Sequence, residues 1–334
     1  MILQYPNKKT EQEVLDSIEV GDLINDTGDT GDINFHSDNI LIEGDNLSAL
    51  KTLLFKYKLK GKVDLIYIDP PFATNNTFTI DSNNRVSTIS NSLDGFLAYS
   101  DKLKGSDFIE FIRERLILLK MLLSPQGSIY LHIDYKIGHY VKIAMDEVFG
   151  IENFRNDITR IKCNPKNFNR KGYGNMKDLI LFYSKGSDVI WNEPRAGYSD
   201  EDIERLFKKI DEQGRRYTTI PLHAPGETKN GNSSKEWMGS LPPKGRHWRT
   251  SIDVLTEWNE QGLIEWSKNG VPRKKIFSEE REGKRIQDIW DFKDPQYPSY
   301  PTEKNSSLLD LIIKTSSNND SIILDCFCGS GTTL

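Results

Sequence analysis

Two stretches of the chain combine residue types that could do chemistry. In the first, an apolar run, Val63-Asp64-Leu65-Ile66-Tyr67-Ile68, ends in Asp69-Pro70-Pro71-Phe72. Proline lacks the N–H that a central ladder needs, so a strand here must stop at Asp69. The two fixed φ angles then hold the exit from the strand in one shape. An acceptor, a rigid backbone and a stacking ring at a strand's carboxyl end suit a binding site, although Asp-Pro-Pro is also ordinary turn sequence. In the second, Ser321-Ile322-Ile323-Leu324 ends in Asp325 and opens onto Phe327-Cys328-Gly329-Ser330-Gly331. Glycines let backbone approach a ligand closely, and a helix starting near Thr332 would present free N–H groups to negative charge. Strand, glycine loop and helix in that order suit a nucleotide-type site; a plain tight turn is the other reading.

The elements that would carry these stretches alternate. Asn39-Ile40-Leu41-Ile42-Glu43-Gly44-Asp45 reads as a short strand, and Leu47, Leu50, Leu53 and Leu54 fall on one helical face after it. The strand ending at Asp69 comes next, then a helix through Phe108, Phe111, Ile112, Leu116 and Leu119, stopped by Pro125-Gln126-Gly127. Ser128–Asp134 reads as a strand, Val141–Phe149 as a helix ending at Gly150, and Leu179–Tyr183 as a strand. This rhythm predicts an α/β fold with a parallel, doubly wound sheet. It breaks over 190–290, which is charged, Gly/Pro-punctuated and dotted with tryptophans. It returns with a helix through Leu308–Ile312 and the strand ending at Asp325. The predicted organisation is a first part over 1–189, an inserted region over 190–290 and a closing segment over 291–334.

Bulk properties bound the function. The chain has 334 residues, is 37% hydrophobic and 28% charged, and carries a net charge of −5. Residues 151–300 hold 27 Lys and Arg against 23 Asp and Glu, so the middle is locally basic while the rest is acidic. A phosphate-facing surface is expected there. No run approaches the length of a membrane span, and MILQYPNKKTEQEV lacks the layout of a secretion signal. Three cysteines make no disulfide framework, which fits a reducing, cytoplasmic compartment. Five scattered histidines and no Cys-x-x-Cys pair argue against a structural metal.

Taken together, the motifs resemble those of amino-group DNA methyltransferases of the β arrangement, in which the catalytic motif precedes the cofactor motif. The resemblance rests on Asp69-Pro70-Pro71-Phe72, a long insert, and Phe327-Cys328-Gly329-Ser330-Gly331. Gly44-Asp45-Asn46-Leu47, Tyr99-Ser100-Asp101-Lys102, Met145–Gly150 and Tyr300-Pro301-Thr302-Glu303-Lys304 add to it. It covers nearly the whole chain and is closest to the modification subunits of type III restriction systems. The resemblance implies a Rossmann-like S-adenosylmethionine-dependent sheet with a target-recognition insert. It implies that Asp69 and the carbonyl of Pro70, held by Pro71, accept both hydrogens of the target amine while Phe72 stacks on a flipped base. For the cofactor, it implies that Phe327, Gly329 and Gly331 surround the methionine moiety and that Asp325 takes its ammonium. Thr302 and Lys304 would hold its carboxylate and Asp45 would face its adenine. Read from the residues alone, Asp45 is equally a helix cap and Lys304 a solvated lysine.

A leading Asp favours N6 of adenine, whereas N4-cytosine enzymes commonly begin with Ser. No cysteine follows a proline, which disfavours C5-cytosine chemistry. RNA or a protein glutamine is a further substrate reading. In the insert, Arg246, His247, Trp248 and Arg249, with Arg273, Lys274 and Lys275, combine the donors and ring that base-edge and phosphate contacts use; an ordinary solvated basic turn with Trp248 in a core is the other reading. Pro165–Asn175 is a further DNA-facing candidate. The resemblance implies duplex DNA, a second copy of the chain and a restriction subunit as partners. Family members continue past the glycine loop through a helix and an acidic strand, whereas this chain stops three residues after Gly331. Either a fragment or a chain completed by another is therefore expected, and poor binding of the cofactor by this chain alone. A catalytically incomplete DNA-binding fragment is a standing alternative.

Overall fold

The computed structural model describes residues 2–333 except 18, 25–32, 36–38, 72–76, 81–85, 88–95, 101–104, 166–170, 229–230, 297–303 and 330. Within 77–100 only the backbone of three short strands is described. The chain divides into two compact units, Met1–Pro194 with Gln287–Leu334, and Arg195–Ile286.

The larger unit is built from α1 (Asn46–Phe55), β1 (Val63–Ile68), α2 (Gly105–Leu122), β2 (Leu123–Ile133), α3 (Tyr135–Phe149), β3 (Phe154–Ile161), β4 (Lys177–Ser184), β5 (Ile289–Asp291), α4 (Ser306–Ser316) and β6 (Ile322–Leu324). Short polar side chains start three of the helices, each accepting a backbone N–H that would otherwise lack a partner. Asp45 caps α1 through Ser48, Asp134 caps α3 through Lys136, and Asn305 caps α4 through Ser307, all at 2.9 Å. Gly150, at φ 92°, ends α3.

These strands form one sheet in the order β5-β3-β4-β2-β1-β6. β6, β1 and β2 are parallel neighbours, and β5 is parallel to β3. β4 runs antiparallel to both β2 and β3, so the sheet is mixed, not wholly parallel as the alternation suggested. Residues 162–176, with Pro165, Gly172 and Gly174, carry no helical apolar period. No crossover helix is present among the described residues of this connection, and the chain returns antiparallel.

Alternation of side chains gives the sheet two buried faces. Ile66 and Ile68, Ile129, Leu131 and Ile133, and Leu179, Leu181 and Tyr183 join the main core with α1, α2 and α3. Tyr67, Tyr130, His132 and Phe182 point the other way, where the Tyr130 hydroxyl meets Ser316 Oγ of α4 at 2.8 Å. No described helix is long and apolar enough to cross a membrane.

Two local expectations are corrected. Residues 39–45 form no strand: they pair with none of the described strands, and Leu41 is 70% exposed. Pro125-Gln126-Gly127 does not stop α2, which ends at Leu122; it forms a bulge inside β2, where the pairing jumps from Val63–Leu123 to Leu65–Ser128. A proline is tolerated at such a bulge. Gly127 fits because a Cβ there would lie 2.9 Å from the Val63 carbonyl oxygen and 2.8 Å from Leu123 Cδ2.

In the smaller unit, four antiparallel strands run in the order Ile264–Trp266, Pro272–Phe277, Arg216–Pro221, Lys209–Ile210. Leu222, Trp237, Trp248, Leu255 and Ile264 form its core.

Two substitutions test this packing by urea unfolding. Gly127→Ala should cost about 1–3 kcal/mol through overpacking against backbone that cannot yield; a loss below about 0.5 kcal/mol would mean the bulge opens freely. Leu118→Ala, fully buried in the main core, should cost about 2–5 kcal/mol.

Candidate active site

Asp69 and Asp325 are brought together by strand pairing. β1 and β6 are parallel neighbours, with Ile66 opposite Leu324. Both carboxylates therefore leave the sheet at its carboxyl end, where ligands bind in open α/β sheets. Their charges act on each other, since Asp69 helps to raise Asp325.

The two oxygens of Asp69 have different surroundings. Oδ2 accepts from the Lys304 ammonium at 2.6 Å, with the two side chains 15% and 10% exposed. Oδ1 is buried and has no hydrogen-bond partner among the described residues. Its near neighbour is Nδ1 of His132, 3.7 Å away. His132, on β2, is fully buried. Burial pushes its ring below the ordinary histidine value against the pull of Asp178 and Asp69, so it is neutral at pH 7. Its Nε2 lies 3.3 Å from Asp178 Oδ2 and its Nδ1 3.1 Å from the Tyr67 hydroxyl. Burial alone would raise Asp178, but hydrogen bonds from His132 and Lys162 bring it down to about 2. Tyr67 is held well above its ordinary value by burial and then by Asp69. An ionised Asp178 and a protonated Tyr67 assign the tautomer: Nε2–H donates to Asp178, and Nδ1 accepts from Tyr67.

Asp178 is shared with two cations. Lys162 Nζ lies 2.6 Å from its Oδ1 and Arg160 Nη1 3.7 Å from its Oδ2. Arg160 is fully buried and also donates to the Phe292 carbonyl and to Asp294.

At the second carboxylate, Asp325 accepts from the backbone N–H of Phe327 at 2.9 Å and from Thr333 Oγ1 at 2.6 Å. Burial, with the charge of Asp69 added, outweighs those bonds and raises it to about 6. Gly329 and Gly331 sit at φ 54° and 78°, a turn that glycine adopts without strain. Asn46 Nδ2 donates to the Cys326 carbonyl and its Oδ1 accepts from Arg115 Nε, which ties α1 and α2 to the loop. Arg115 covers the Phe111 ring at 3.5 Å, and Phe111 meets Phe327 at 6.1 Å. A buried carboxylate with a raised pKa beside a glycine turn fits a ligand that brings a cation, as an amino-acid ammonium would.

The other expected residues have these surroundings. Lys304 pairs with Asp69, and Asp45 caps α1 with its side chain 62% exposed. Pro70 and Pro71 follow Asp69 as expected, while Phe72 and Thr302 lie outside the described residues. In the smaller unit, Trp248 is core: it is 1% exposed and its Nε1 donates to the Lys235 carbonyl, so its ring is not presented at the surface. His247 Nδ1 meets the Gly226 carbonyl at 2.7 Å. Arg246, Arg249 and Arg273 converge on His223, which burial and these three cations lower. Arg273 also bonds Thr219, Lys274 covers Trp258, and Lys275 lies 5.5 Å from the Tyr217 ring. His132, Asp178 and His223 were missed from sequence; the one available signal was a histidine inside an otherwise apolar strand.

The two shifted carboxylates make opposite contributions to stability. Asp325 binds its proton more tightly folded than unfolded, so its contribution falls as pH rises from about 4 to 6. The contribution of Asp178 is present above about pH 4 and lost as pH falls toward 2. Asp325→Asn should stabilise the ligand-free chain at pH 7 by up to about 3 kcal/mol and flatten the pH 4–6 dependence in urea unfolding. An unchanged pH profile would contradict the burial of this charge.

Comparison with known proteins adds the family. A family model described as DNA methylase, N6_N4_Mtase, matches residues 63–334. Type II methyltransferase M.EcaI of Enterobacter cloacae is 37% identical over 99% of this chain and 71% of its own length. The type III restriction-modification enzyme StyLTI Mod subunit of Salmonella typhimurium is 27% identical over 90% of this chain, which spans 50% of that protein. The crystal structure of the M1.HpyAVI–SAM complex aligns over 87% of this chain and 83% of that one, at 17% identity and a TM-score of 0.40. The match across the sheet and its terminal glycine loop, together with the M.EcaI likeness, places the chain in the N6_N4_Mtase family of DNA methylases.

Proposed function

We propose that the chain transfers a methyl group from S-adenosylmethionine to the exocyclic N6 of adenine in duplex DNA, in the cytoplasm and within a restriction-modification system. The observation that carries this reading is the placement of Asp69 and Asp325 at the ends of neighbouring parallel strands, with Oδ1 of Asp69 left open.

Adenine's amino nitrogen is a poor nucleophile because its lone pair is delocalised into the ring. A fixed acceptor for each of its hydrogens lets the nitrogen become tetrahedral as it reacts. Asp69 Oδ1 is one acceptor and the Pro70 carbonyl the other, and both act on charge that develops in the transition state. When bound, the cofactor would supply an electrophilic methyl on a sulfonium, with the C–S electron pair leaving on the thioether and one amine proton released. Asp325 holds the cofactor's ammonium, and the turn at Gly329 and Gly331 lets backbone approach it closely. Arg246, Arg249 and Arg273, gathered around His223, face DNA phosphates. A restriction subunit and a second copy of the chain are the proposed protein partners. The leading acid of Asp69-Pro70-Pro71-Phe72 supports adenine over N4 of cytosine.

Labelled-methyl transfer to duplex DNA by the full-length protein, with nucleoside analysis of the product, tests this. The product should be N6-methyladenine. Asp69→Ala should lower the rate by at least about a thousandfold with DNA binding retained. N4-methylcytosine as product, or an active Asp69→Ala, would refute the assignment.

A further inference from the structure

We propose that Lys304 is a positioning residue for the methyl-acceptor side of the site: it holds Oδ2 of Asp69 so that Oδ1 alone is presented to the target amine. This rests on the methyl-transfer reading above and changes the role of Lys304, which the family resemblance gave to the cofactor's carboxylate.

Three observations carry it. The Lys304–Asp69 contact, at 2.6 Å, joins two side chains that are almost wholly buried. Charge-assisted bonds of this length are strong, and poor solvation strengthens them further. A carboxylate held at one oxygen cannot spin about its terminal torsion, so its other oxygen has a fixed direction. That other oxygen, Oδ1, is buried with no partner among the described residues.

The third observation explains why Oδ1 stays open. The ring nitrogen closest to it, His132 Nδ1 at 3.7 Å, carries no proton to give. Asp178 takes the Nε2 proton, and the Tyr67 hydroxyl donates to Nδ1. Asp69 just after β1, Asp178 from β4 and Lys304 ahead of α4 are charged groups that act on this ring, and the Tyr67 hydroxyl of β1 meets it at 3.1 Å. Lys304 therefore occupies one oxygen while the Tyr67–His132–Asp178 chain withholds a donor from the other. An unsatisfied buried carboxylate oxygen is costly in the free protein, and an arriving amine hydrogen relieves that cost where reaction occurs. The backbone of Lys304 is steadied by its neighbour Asn305, which caps α4 and donates to the Lys293 carbonyl at 3.0 Å.

The two roles of Lys304 separate experimentally. Single-turnover methyl transfer is measured on duplex DNA at saturating cofactor, and the affinity for S-adenosylhomocysteine, which carries the same carboxylate, is measured on the same samples. Lys304→Gln should slow the saturated step about 100-fold, the scale of one lost electrostatic contact to the reacting centre, with affinity changed less than about threefold. Lys304→Arg keeps the charge, and with it the fold, but its fork cannot reproduce a single-point contact. It should slow the step about tenfold, again with affinity kept, and it carries the test alone if Lys304→Gln does not fold. Affinity weakened tenfold or more with the saturated rate unchanged, in either variant, would overturn the proposal and return Lys304 to the cofactor. Absence of transfer by the wild-type protein on any DNA would instead sink the functional reading beneath it.

Discussion

Two largely desolvated carboxylates, at the ends of adjacent parallel strands, set the terms for the rest of the site. Ile66 and Leu324 pair directly, so Asp69 and Asp325 leave the same end of the sheet and repel each other. Like charges in a poorly solvated place need cations, protons or ligands to offset them. At Asp69 the offset is built in as Lys304. At Asp325 the described contacts are one backbone N–H and one hydroxyl, with no such cation among them, and its pKa rises to about 6. One acid is thus held by the protein and the other is left poised for a positive group from outside.

The reversed strand β4 serves the same end. An antiparallel strand begins where its parallel neighbours finish, and the register Ile133–Leu179 sets Asp178 beside His132. The pairing of Arg160 with Asp178 adds a buried cation from β3. A network of this kind is poor evidence for extra stability, because desolvation offsets much of the attraction. Its consequence here is a fixed tautomer: His132 faces Asp69 with a lone pair, so the carboxylate oxygen beside it is not consumed internally.

Local signals made much of this legible in the sequence. Apolar runs closed by an acid marked β1 and β6, the prolines fixed the exit at Asp69, and helical spacing located α2, α3 and α4. What could not be read depends on who pairs with whom. Residues 39–45 have the composition of a strand yet pair with no described strand, and nothing local to β4 encodes its direction. The family resemblance gave Lys304 to the cofactor, and only the folded chain shows its pairing with Asp69. Trp248 sat among basic residues in the sequence, yet its ring lies inward as core while Arg246 and Arg249 stay exposed around His223. A buried histidine in an apolar strand gives no sign of its tautomer until Tyr67 and Asp178 are in place.

The most direct measurement is a crystal structure of the protein with S-adenosylhomocysteine and a duplex carrying its target. The account predicts the cofactor's ammonium on Asp325, Lys304 still on Oδ2 of Asp69, and an extruded adenine amine about 3 Å from Oδ1, facing the cofactor's sulfur. A cofactor seated away from Asp325, or a base bound with its amine turned from Asp69, would contradict it.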